Sequence, residues 1–167
     1  SETDLLLLLG GWDGAAALGD AFVLQVGGGV PQGARQVSWS EVSLVGQVPA
    51  ARFGHTVTRL GATPGPSGAL DQRFVLFGGR DAARIFGDAF ALTLVEPATG
   101  CGPWLLQCEE LPSLSPPPPR YAHAACFLPA EGEADAPGSV LLVGGCTGAG
   151  EGPAAFRLSC SSWEWQE

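Results

Sequence analysis

Pro49-Ala50-Ala51-Arg52-Phe53-Gly54-His55 opens the stretch on which the reading of this chain turns. Thr56-Val57-Thr58-Arg59-Leu60 follows, then a Gly/Pro loop, then Arg73-Phe74-Val75-Leu76-Phe77 and the pair Gly78-Gly79. An Arg/Asp-rich loop, the segment Gly87-Asp88-Ala89-Phe90-Ala91-Leu92, a further turn and Trp104 complete it. Four short apolar segments separated by turn residues predict one four-stranded antiparallel sheet. Working outward, the same unit stands on both sides. Gly10-Gly11, Gly78-Gly79 and Gly144-Gly145 lie 68 and 66 residues apart. Arg52-x-x-His55 returns as Arg120-x-x-His123, each with proline upstream, Pro49 and Pro119. Leu18-Gly19-Asp20-Ala21-Phe22 returns as Phe86-Gly87-Asp88-Ala89-Phe90 and, without its aspartate, near Phe156. Trp39, Trp104 and Trp163 close the three copies. Markers in constant order at a constant period mean a repeat architecture.

Composition agrees. The chain has 167 residues, 25 of them Gly and 14 Pro, with 46% hydrophobic residues, which suits short strands joined by many turns and excludes disorder. The run of residues 5–9 is less than half a membrane span, and no basic start precedes it, so it reads as a buried strand; no membrane association is expected. Net charge is −9 with eight Arg and no Lys. That balance repels phosphate backbones and argues against nucleic acid. The absence of Asn removes any N-glycosylation acceptor and favours a cytoplasmic location. Five cysteines form no Cys-x-x-Cys pair. Cys126 and Cys160 read as buried thiols, and a Cys101–Cys108 disulfide is an open alternative.

No segment shows a sustained helical period, so the expectation is all-β. The repeat markers resemble the kelch repeat, the blade of a β-propeller. That resemblance implies a kelch-type β-propeller segment made of four-stranded antiparallel blades, spanning 1–167 as a partial blade 1–46, a blade 47–111 and a blade 117–167. Strands are expected at residues 5–9, 20–26 and 37–42, at 55–60, 73–77, 88–94 and 104–108, and at 123–128, 140–143, 155–158 and 162–165. The inner strand of the first blade, with its Arg-x-x-His, is not in the chain, so the start at Ser1 does not read as a natural domain start. Three blades leave an incomplete ring, since propellers use about four to eight. Further blades or another chain are expected to complete it.

Each marker has a structural and a functional reading. The glycine pairs lack the following helix that a phosphate cradle needs, and fit places where the backbone takes positive φ or meets a neighbour. His55 and His123 occupy matching positions, which suits a hydrogen bond required by every blade better than a metal site. Arg52 and Arg120 are expected to pair with Asp20, Asp88 or a main-chain carbonyl, bridging blades. Trp39, Trp104 and Trp163 are expected to wedge between consecutive sheets. Residues 115–119, a Ser followed by four prolines, form a polyproline connector or a docking motif.

Trp12 and Asp13 break the structural pattern. They follow a glycine pair in a loop whose counterparts are Arg80-Asp81-Ala82-Ala83-Arg84 and Cys146-Thr147-Gly148. An aromatic residue and two arginines on adjacent loops form a candidate patch for an acidic or carboxylate-bearing peptide, with Trp12, Asp13, Arg80, Asp81 and Arg84 as its residues. Solvated loops are the alternative. No nucleophile elbow or similar motif is present, and Tyr121, the sole tyrosine, lacks the ligands of a copper site, so neither enzyme activity, cofactor nor metal is expected. The function read from the sequence is a protein-interaction module that binds a partner protein or peptide, as an adaptor or substrate recruiter. A structural subunit of a large cytoskeletal or ciliary assembly, or the non-catalytic propeller of a larger enzyme, are the alternatives.

Overall fold

The structure is a computed structural model that describes residues 3–28, 35–65, 70–97, 102–112, 115–130, 137–151 and 154–167. In the central blade, β4 (Thr56–Pro64), β5 (Leu70–Phe77), β6 (Ala89–Val95) and β7 (Trp104–Glu110) pair antiparallel in chain order. The apolar run of β5 is continuous because both faces of the blade are covered, so a strand's alternation puts apolar side chains on both. Leu76, Phe90, Leu92, Leu94 and Leu106 face one core, and Val75, Phe77 and Ala89 face the other.

The first core lies against β1 (Thr3–Trp12), β2 (Ala17–Gly28) and β3 (Arg35–Gly46), which supply Leu9, Ala21, Val23 and Val42. These three strands are the first blade, also antiparallel. The second core lies against the third blade. Its four antiparallel strands are β9 (Ala124–Leu128), β10 (Ser139–Val143), β13 (Ala155–Ser159) and β14 (Trp165–Gln166), in the order β14-β13-β10-β9. Val140, Leu142, Phe156, Leu158 and Trp165 come from it. Full burial of such a side chain contributes about 1.5–3 kcal/mol, so the two inter-blade seams carry the stability of the fold. A small sheet of β8 (Arg120–Tyr121), β11 (Cys146–Thr147) and β12 (Gly150–Glu151) sits beside the third blade. The described residues contain no helix.

The expected all-β architecture of antiparallel sheets is therefore present, with three differences. First, β3 is longer than expected. Its early residues pair with β2, and its end, Val42 to Gly46, runs parallel to β7, joining two blades into one seven-stranded sheet. Gly46 makes that approach possible, with φ +88 and a hypothetical Cβ only 2.4 Å from the Cys108 carbonyl oxygen. Second, only one of the three tryptophans wedges as expected. Trp104 is buried at 5% exposure in the first seam, whereas Trp39 is 56% exposed on the open face of the first blade, because that face has no blade before it here. In the third blade the wedge is Trp165, 6% exposed and 4.9 Å from the Phe77 ring. Trp163 occupies a tight turn at φ +58, donating its amide to Ser159, and packs half-buried against the edge of the second core. Third, Cys126 is exposed, because it points to the third blade's open face, while Cys160 is half-buried. Cys108 is a free thiol inside the first core, and Cys101 lies outside the described residues.

Candidate partner-binding surface

The glycine pairs connect one blade to the next. Gly11 donates its amide to the Arg52 carbonyl, and Arg52 donates its own to Leu18, each at 2.9 Å. One repeat later, Gly79 donates to the Arg120 carbonyl at 2.9 Å and Arg120 donates to Phe86 at 3.1 Å. A Cβ on Gly78 would stand 2.5 Å from the Arg120 carbonyl oxygen and 3.0 Å from His123 Cε1, which is why this φ +65 position requires glycine. The histidines, His123 buried and His55 half-buried, fill the same junctions: Gly10 faces the His55 ring and Gly78 the His123 ring.

Arg52, 2% exposed, braces the central blade from within. Its guanidinium makes a bidentate ion pair with Asp88, at 2.5 and 2.9 Å, donates to the Gly78 and Ala50 carbonyls, and lies 4.0 Å from the Phe86 ring centroid. The pairing with Asp88 is the expected one, made within a blade, while the arginine main chain bridges to the blade before. Arg120 repeats the arrangement with Pro118 and Gly144 carbonyls and the Phe156 ring. The position matching Asp88 is Ala154, so the repeat supplies no carboxylate at this place.

His123 Nε2 lies 2.9 Å from the Thr56 hydroxyl, across the second seam, so the histidine hydrogen bond ties blade to blade. Burial pushes both imidazoles down to about 4, with Arg52 acting on His55, and Arg120 and His55 acting on His123. The opposing pull of the Leu9 and Phe77 carbonyls is weaker than the loss of water, and Nδ1 of each ring is buried without a well-directed hydrogen bond. Neutral rings held in this way are poor ligands for partners outside the protein.

Beyond the glycine pairs the chain turns outward into the loops. Asp13 Oδ1 accepts the amides of Ala15 and Ala16, and Asp81 Oδ1 accepts those of Ala83 and Arg84, all at 2.7–2.8 Å. These hydrogen bonds hold both carboxyls below the usual carboxylate range. Asp13 and Asp81 are thus the residues that shape the two turns. Trp12 packs on Phe53 at 5.1 Å. Arg80 lies 5.7 Å from the Phe53 ring and 5.1 Å from the Tyr121 ring. Trp12, Phe53, Arg80 and Tyr121 therefore form one stack across three blades. Phe53 and Tyr121 were not among the expected residues. Their signal was available, since each is the aromatic residue directly after the repeat arginine.

Arg84 does not join that stack. It is 64% exposed, rests over Phe86 at 4.6 Å, and faces Asp81 with a long 3.7 Å ion pair. Together with Arg80 it lines a cleft of about 580 Å³ between the second and third blades, whose other walls include Pro118, Pro119, Thr147 and Gly148. Pro117 is fully buried, so the proline run is anchored as a blade-to-blade connector and forms one wall of this cleft.

No family model matches the chain. Among curated proteins it is similar to putative adagio-like protein 2 of Oryza sativa subsp. japonica, 31% identical over 135 residues, and to adagio-like protein 1 of the same organism, 31% identical over 136. Each match covers 80% of this chain and 16% of the relative, so the chain spans less than a fifth of either. Among solved structures it is similar to a chain in a cryo-EM structure of RAG in complex with one melted RSS and one unmelted RSS. That likeness has a TM-score of 0.62 and 14% identity, covering 98% of this chain and 55% of the other. These likenesses fit a kelch-type propeller, and with the observed blades they give the chain its fold: an all-β propeller segment of stacked antiparallel sheets.

Proposed function

We propose that this chain is a non-catalytic kelch-repeat interaction module, which recruits a protein or peptide through the loops that follow its glycine pairs. The observation that carries this reading is the stack of Trp12, Phe53, Arg80 and Tyr121. Three blades contribute to one partly exposed surface, and the scaffold beneath it holds each loop by buried main-chain hydrogen bonds. Aromatic and arginine side chains on a rigid frame lose little entropy on binding, which is why such residues dominate interface energetics. The similarity to adagio-like proteins supports an interaction module of this type, and the partner is taken to be cytoplasmic.

Photo-reactive residues placed at position 12 or 84 test it in a cell extract. The same partner is expected to cross-link from both positions and not from position 157, on the far face of the third blade. Equal labelling from all three sites counts against the proposal. A second reading, a subunit of a larger assembly, is favoured by the open face of the first blade, where Leu6, Leu8, Val37 and Trp39 are exposed. In that case a stoichiometric partner cross-links from position 39.

A further inference from the structure

We infer that the cleft between the second and third blades is a carboxylate-recognition site for an extended acidic peptide. The inference rests on the interaction reading above and adds the chemistry of the ligand. Its first support is charge. The chain carries a net charge of −9, yet two of its eight basic side chains, Arg80 and Arg84, line this one cleft. Arg84 lies over Phe86, and Arg80 over Phe53 and Tyr121, so aromatic rings position both guanidinium groups at the cleft. The N–H edge of a guanidinium is the part that matches a carboxylate.

The second support is the residue already facing Arg84. Asp81 presents its carboxylate to Arg84 Nε at 3.7 Å, beyond a good hydrogen bond, because its Oδ1 is committed to the turn amides of Ala83 and Arg84. The protein's own carboxylate therefore shows what Arg84 attracts without satisfying it. Arg80 is partly committed, donating Nε to the Asp81 carbonyl at 3.0 Å, which fixes the rest of its fork.

The third support is shape. At about 580 Å³ the cleft is within the usual range for ligand sites. Pro118 and Pro119 give it a stiff wall, and Gly148 faces open space where a side chain would intrude. An open cleft walled by prolines and glycine suits an extended backbone, with one acidic side chain reaching the arginines and small residues along the rest.

Selection from a random decapeptide display library on the immobilised full chain tests this. Enriched peptides should carry Asp or Glu, and their capture should fall about tenfold or more in Arg84→Gln and weaken as salt is raised. Arg84 is exposed, so that variant should melt with the parent, and Arg80→Gln adds a second arm if it also keeps its melting temperature. Enriched peptides that lack acidic residues, or that ignore Arg84→Gln while depending on Trp12, overturn the carboxylate site and leave the interaction reading standing. Failure to enrich any peptide, together with no cross-linked partner from positions 12 and 84, overturns both.

Discussion

At the residue scale, the same position does different work according to its neighbours. Arg52 and Arg120 are both buried and have equivalent carbonyl and ring partners, yet the repeat gives Arg52 an aspartate, Asp88, where Arg120 meets Ala154. The main chain at Ala154 matches that at Asp88: Ala154 accepts the amide of Gly144 as Asp88 accepts that of Gly78, each at 3.1 Å. Ala154→Asp should therefore place a carboxylate beside Arg120 and raise stability by about 1 kcal/mol, read as a shift in denaturant midpoint. A loss of stability would show that the third blade cannot accept the second blade's ion pair. Asp88→Ala should cost about 1–3 kcal/mol, because the Ala50 and Gly78 carbonyls and the Phe86 ring still hold the Arg52 guanidinium once its acid is gone.

The histidines give a pH dependence of definite sign. Their folded values of about 4 lie below the ordinary value of about 6.5, so between these limits the unfolded chain binds more protons. The stability they allow is fully present above about pH 6.5 and is lost as pH falls towards 4, by up to about 1.4 kcal/mol per unit for each ring. Denaturant titrations at pH 7 and pH 4.5 check this, and His55→Gln with His123→Gln should flatten the slope. An unchanged slope in the double variant would assign the acid sensitivity to other groups. The role of these histidines was legible in the sequence from their recurrence. Their partners across the seam were not, because a one-dimensional repeat gives position within a blade and not which atoms meet between blades.

At the element scale, the strands were legible because each apolar segment is short, bounded by Gly or Pro, and repeated at a fixed period. The parallel pairing of β3 with β7 was not. It depends on where the chain leaves the rim of the first blade, which Gly46 permits without announcing. The tryptophan wedge was only partly legible for a similar reason. An indole on an outer strand is fully buried only if a blade stands before it and it lies on the strand itself, and Trp39 lacks the first condition while Trp163, in the turn before β14, lacks the second. Trp165→Ala should cost about 3–5 kcal/mol, whereas Trp39→Ala should change stability by less than about 1 kcal/mol, both read from urea midpoints. Equal losses would place Trp39 in a packed seam.

At the scale of the whole molecule, scaffold and recognition residues occupy different layers. Glycine pairs, repeat arginines and histidines lie at the junctions between blades, while Trp12 stands at the end of β1 and Arg80 and Arg84 on the loop beyond the second glycine pair. The candidate surface was legible as three equivalent loops. Its division into an aromatic stack and an adjoining cleft that share Arg80 was not, since that follows from Phe53 and Tyr121 packing against Arg80.

The separation of layers is tested most directly by measuring melting temperature and peptide or partner capture together for Arg84→Ala and Gly78→Val. Arg84→Ala should melt with the parent and lose capture. Gly78→Val, whose side chain would meet the Arg120 carbonyl in a left-handed backbone, should melt well below it. Equal loss of melting temperature in the two variants would contradict the account.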